Sequence, residues 1–109
     1  MKMKCVFVVC LALISSLSFG DPGYMVKDVV VVGMSSTSSK QDAFWLWYEP
    51  KDSVCNGAVK FQLSKSGTEG SFERAFTLAA TAYVSGKPIN IYNYEDVNDC
   101  YAAVSIEIR

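Results

Sequence analysis

The 109-residue sequence contains no histidine. That absence removes Ser-His and Cys-His nucleophile pairs, histidine-ligated metals and a histidine pH switch. Charge is also sparse, at 19% of residues, and no Lys/Arg cluster exists. Nucleic-acid affinity rests mainly on such clusters, so DNA and RNA are not expected partners. There is no internal repeat, low-complexity tract, heptad pattern or Asn-x-Ser/Thr acceptor site. No Ser, Cys or Lys stands in a nucleophile motif, and no carboxylate pair has a spacing that favours hydrolysis. What remains is a hydrophobic content of 50%, too high for a disordered chain, in a length that allows one small domain. The composition therefore points to a non-enzymatic binding module, with no cofactor and no metal expected.

The long apolar run is confined to the start. Lys2 and Lys4 precede Cys5–Leu17, which carries no charge, and Ser18 and Gly20 are small residues at the positions a signal peptidase reads. Cleavage is expected after Gly20, leaving one domain over residues 21–109. The run is too short to span a bilayer, so a secreted or periplasmic protein without membrane insertion is predicted. Cleavage removes two of the ten basic residues and none of the eleven acidic ones, taking the formal charge from −1 to −3. It also removes Cys5 and Cys10 and leaves Cys55 and Cys100. In a small exported domain such a pair reads most simply as one disulfide. Free thiols and a metal site are the alternatives, and two isolated cysteines without histidine make a poor metal site.

Along residues 21–109 the periodicity switches twice. Tyr24–Met34 is rich in β-branched valines and ends near Gly33, and Ala43–Tyr48 is an aromatic strand that stops at Pro50. Ala58–Ser64 alternates Val59, Phe61 and Leu63 against Lys60, Gln62 and Ser64. Phe72–Ser85 then has helical period, with Phe72, Phe76, Ala79, Ala80 and Tyr83 expected on the buried stripe and Gly86-Lys87-Pro88 as its stop. Ile89–Tyr94 and Ala102–Ile108 read as strands again. The expected fold is mainly β with one helix, in the order β-β-β-α-β-β, which is that of the five-stranded OB-fold, a Greek-key barrel.

Aromatic residues supply the candidate binding groups. Trp45 and Trp47 share one face of the second strand, and Phe44, Leu46 and Tyr48 share the other. One of these sets points inward. Val59, Phe61 and Leu63 already furnish an aliphatic inner face next door, which favours the tryptophans outward; the alternative buries them. Indole offers a rigid apolar plate and one N–H donor, suited to sugar stacking or to a protein interface. Tyr92 and Tyr94 share a face of the fourth strand, with Asn93 on the other beside Ile89 and Ile91. The hydroxyl-rich Ser35–Ser39 loop reads as a solvated turn able to bond a polyol. Asp96 and Asp99 lack the spacing and oxygen count of a calcium loop.

The helix that ends in Gly86-Lys87-Pro88, followed by the alternating Ile89-Asn90-Ile91-Tyr92 strand, resembles the B-subunit family of subtilase cytotoxin and its pertussis-like relatives. Cys55, Phe61-Gln62-Leu63, Ala75–Ala82 and Cys100 fit the same pattern, over about Val29 to Ile108. The resemblance implies an exported OB-fold protein without catalysis that binds a glycan or glycoprotein receptor. It also implies a homo-oligomer, with a pentamer as one form; the sequence identifies no A subunit. The stretch matching the family's sialic-acid site is Tyr24–Asp28, which adds Lys27 and Asp28 to the candidates. It carries no Ser, and Asn93 stands where the toxins place a Tyr. The implied ligand is therefore a glycan of unassigned type. A secreted or periplasmic protein–protein interaction domain is the alternative function.

Overall fold

The computed structural model describes residues 22–36 and 42–109. The expected leader, with cleavage after Gly20, and residues 37–39 of the Ser35–Ser39 loop lie outside the described residues. Five strands form one antiparallel sheet: β1 (Gly23–Ser36), β2 (Ala43–Glu49), β3 (Ala58–Gln62), β4 (Ile89–Asn93) and β5 (Ser105–Ile108). Their order across the sheet is β3-β2-β1-β4-β5. A short helix α1 (Leu63–Ser66) and a long one, α2 (Glu69–Ser85), lie between β3 and β4.

The 14-residue β1 serves two partners. Its first part pairs with β4 from Gly23↔Asn93 to Val29↔Ile89, and its second with β2 from Val30↔Glu49 to Ser36↔Phe44. Three register shifts let it curve between them, and bulges do this by adding twist and bend. At one of them Asp28 adopts φ 55, a left-handed conformation that Asp tolerates, and its backbone N–H donates to Asn90 Oδ1 at 2.9 Å.

Inward-facing residues of β1, β2, β3 and β4 make the core, with Phe44, Leu46, Tyr48, Val59, Phe61, Ile89 and Ile91 almost wholly inaccessible. Phe44 stacks on Phe61 with centroids 4.6 Å apart, and Phe72 and Phe76 of α2 lean on Phe44 at 5.6 and 5.1 Å. The helix differs from its expected form in three respects. It begins at Glu69 rather than Phe72, because the Thr68 hydroxyl accepts the Ser71 N–H at 3.1 Å and caps it. It is preceded by α1, which takes Leu63 and Ser64 from the expected third strand. Its buried stripe is Ala75, Ala79 and Ala82, while Phe76 and Tyr83 remain 44% and 49% exposed. Small side chains let the helix lie close to the sheet, and the aromatics flank that contact.

The fifth strand is also shorter than expected. Ala102, Ala103 and Val104 are all buried, so the alternation read from the sequence holds only from Ser105 onward. The reason is a crossing from one edge of the sheet to the other. Lys60 N–H donates to Cys100 O at 2.8 Å and Ala103 N–H to Lys60 O at 3.3 Å, with a parallel bridge between Phe61 and Ala103. Val104 N–H then donates to Tyr92 O at 3.0 Å. The expected Cys55–Cys100 disulfide is present, with Cα atoms 5.6 Å apart and a sequence separation of 45. It ties the β2–β3 turn to the loop before β5. Among the described residues no helix is long and apolar enough to cross a membrane. The disulfide is compatible with export.

Candidate functional site

The β2–β3 turn is built around one carboxylate. Asp52 Oδ1 accepts the Tyr48 hydroxyl at 2.7 Å and the Gly57 N–H at 3.2 Å, and Oδ2 accepts the Cys55 N–H at 3.1 Å. Partial burial pushes the Asp52 carboxyl upward, but the Tyr48 hydroxyl and the two amides outweigh it and hold the acid below its ordinary value. Burial, followed by the Asp52 bond, pushes the Tyr48 hydroxyl well above the normal phenol range. Gly57 sits at φ +82, where an added Cβ would lie 3.0 Å from Tyr48 O and 2.7 Å from Lys51 Cγ. The turn is thus fixed on the sheet next to the outer face of β2.

That outer face carries the tryptophans, as the strand parity favoured. Trp47 is 40% exposed, Trp45 is half-buried, and Phe44, Leu46 and Tyr48 are buried. The two indoles are near-parallel, at 25°, with centroids 6.2 Å apart. Trp47 is flanked in register by Gly33 on β1 and Ala58 on β3, which leave it uncovered. Trp45 meets Tyr101 edge-on at 5.5 Å, and Lys60 Nζ lies 5.8 Å from its ring. Two open depressions of about 660 and 560 Å³ flank this pair, the first against Trp47 and the second against Trp45 and Tyr101. Both fall within the size range of small-ligand clefts. They share Cys55, Asn56 and Ala58 as a common wall.

A second cluster lies on the outer face of β1, β4 and β5. Tyr24, Tyr92 and Tyr94 form an edge-to-face row, at 5.4 Å for the first pair and 5.2 Å for the second. Lys27 Nζ lies 4.7 Å from the Tyr24 ring centre. The Tyr24 hydroxyl and Asn90 Nδ2 each donate to Glu107 at 2.9 Å. These bonds, Asn90 first, hold the Glu107 carboxyl below its ordinary value. The same carboxylate is the main cause that pushes the Tyr24 phenol upward.

The candidate residues therefore separate into two groups. Trp45 and Trp47 stand together, and Lys27, Tyr92 and Tyr94 stand together elsewhere, with exposed Asp28 joined to that group through its amide bond to Asn90. Asn93 belongs to neither surface. It is fully buried, its Oδ1 accepts the Glu95 and Asp96 N–H groups at 2.7 and 3.1 Å, and its Nδ2 donates to Asp99 O. It shapes the loop after β4 and presents no side-chain atom to a ligand.

Tyr101, Lys60 and Asn56 beside the tryptophans, and Tyr24, Asn90 and Glu107 beside the other tyrosines, were not singled out by sequence reasoning. The parity of Lys60 against Val59 and Phe61 places it on the outer face, and Tyr101 follows a cysteine that must reach Cys55; both signals were present. Among the described residues no group of three or more His, Cys, Asp or Glu side chains is placed to hold a metal.

The fold and its surfaces define a small, disulfide-tied, mainly β domain with one five-stranded antiparallel sheet, a covering helix and two exposed aromatic clusters. The chain belongs to the family of unknown function DUF5992, whose model matches residues 3–109. No curated protein and no solved structure matches it.

Proposed function

We propose that this chain is an exported, non-enzymatic recognition module that binds a glycan on its Trp45–Trp47–Tyr101 surface. The observation that carries the reading is the pair of near-parallel indoles on the sheet's outer face, left open by Gly33 and Ala58. Sugar rings expose C–H faces that pack on such plates, while their hydroxyls need amide and carboxylate partners. Asn56, Asn98 and Asp99 stand at the rim to supply them. The fold reading that goes with it is a five-stranded OB barrel. The strand order and the parallel Phe61–Ala103 bridge support it, as does the resemblance to the subtilase cytotoxin B-subunit family.

The test is a glycan array on the purified protein, covering neutral and sialylated structures. Capture of a defined set, lost in Trp45→Ala/Trp47→Ala protein that keeps its circular dichroism, supports the reading. Silence from a well-folded sample overturns it.

A second reading, a protein interface, has its own observation. Val32 and Val54, 48% and 52% exposed, continue the apolar surface beyond the tryptophans. A second copy of this chain, as the resemblance implies, is the partner to test first. Solution mass across a concentration series is expected to show an oligomer that Trp47→Ala dissociates; a monomer throughout rules this partner out.

A further inference from the structure

We infer that the Trp45–Trp47 surface takes an uncharged glycan chain through two adjoining subsites, one ring on each indole, rather than a single terminal sugar. The inference rests on the glycan reading above and adds the length and charge of the ligand.

Length follows from the strand. Side chains two apart on one face of a β-strand are separated by about 6.6 Å, the rise of two residues. The indole centroids keep close to that repeat, at 6.2 Å. Each indole also has its own depression. Trp47 faces the one bordered by Gly33 and Glu49, and Trp45 faces the one bordered by Asn98 and Tyr101. Asn56 stands in the wall common to both. A single terminal residue would leave one indole and one depression unused.

Charge follows from the rim. Among the described residues, Glu49 and Lys51 are the charged side chains lining the first depression, and Asp99 is the one lining the second. Lys60 lies over Trp45. Two acids and two bases cancel around the platform, with Glu49 and Lys51 at the first depression and Asp99 and Lys60 at the second. An acidic sugar finds no excess of cationic donors. A neutral ring loses nothing there, because the carboxylates accept from its hydroxyls and the amides both accept and donate, without a charge partner.

The experiment titrates the protein by calorimetry and tryptophan fluorescence. The probes are three ladders of one to four rings: cello-oligosaccharides, chito-oligosaccharides and oligogalacturonides. Affinity within a neutral ladder is expected to rise about tenfold from one ring to two, since two separate stacking contacts then form on one molecule. The oligogalacturonides are expected to bind more weakly than neutral chains of equal length. Trp45→Ala and Trp47→Ala should each return the two-ring affinity to the one-ring level, whereas Trp45→Phe and Trp47→Phe, which keep a plate in place, should retain most of the gain. Equal affinity for one ring and four overturns the two-subsite inference, and tighter binding of the acidic ladder overturns the charge assignment. No binding on any ladder, with glycans captured on the array, overturns it as well. No binding on either removes the glycan reading itself.

Discussion

Asp52 shows how much a single side chain holds in place. It accepts from Tyr48, Cys55 and Gly57, and so joins a core phenol, the disulfide and the tightest glycine among the described residues. Asp52→Ala leaves three donors without their acceptor and is expected to cost about 1–3 kcal/mol, read as a lowered urea midpoint. The pH dependence has a definite sign. The folded-state value of Asp52 is held below its unfolded value, so its contribution is complete above about pH 4 and is lost as pH falls through the folded value. Thermal midpoints between pH 6 and pH 2 should therefore fall less in Asp52→Asn than in the wild type. Some slope should remain in the variant from Glu107, which is depressed in the same direction. Gly57→Ala places a Cβ against Tyr48 O at φ +82 and is expected to destabilise the domain by about 1–3 kcal/mol. None of these roles was legible in the sequence. An Asp before a turn glycine is ordinary, and the Tyr48 hydroxyl that makes it matter arrives from a strand read as core. Asn93 was misjudged for the same reason: its parity beside Ile89 and Ile91 was correct, but the polar work it does there is local.

At the scale of elements, helical and strand periods identified every strand and the long helix, and failed where packing distance decided. Of the expected stripe Phe72, Phe76, Ala79, Ala80 and Tyr83, Ala79 is fully buried, but Ala75 and Ala82 join it while Phe76 and Tyr83 stay exposed. The small residues make the close contact while Phe72 and Phe76 reach Phe44 from beside it, and periodicity carries no information about that spacing. Ala79→Leu is accordingly expected to cost about 1–3 kcal/mol by overpacking, although it raises both helix hydrophobicity and volume. Thr68→Ala removes the cap and should cost about 1 kcal/mol, measurable by chemical denaturation. Gly33→Ala, by contrast, brings a methyl to 3.5 Å from Trp47, an ordinary contact, and should leave stability within about 0.5 kcal/mol of wild type.

For the whole molecule the decisive tie is Cys55–Cys100. It was read from the count of cysteines left after the leader, and the sheet explains why it works: it fastens the turn after β2 to the segment that crosses between the two edges. A cross-link over 45 residues is worth about 4 kcal/mol in the chain-entropy picture, a large part of a small domain's stability. Reductant or Cys55→Ser/Cys100→Ser should lower the urea midpoint accordingly, and intact mass should rise by two hydrogen atoms on reduction. An unchanged midpoint would show that the core alone holds the fold. The architecture also has a temporal side. The first described strand, β1, finds four of its ten register partners on β4, with Gly23 opposite Asn93 and Val29 opposite Ile89. The first part of β1 therefore meets its partner only once residues 89–93 have been made, whereas Val30 and Val31 pair with the neighbouring β2. Pairing across so long a stretch is slow to form.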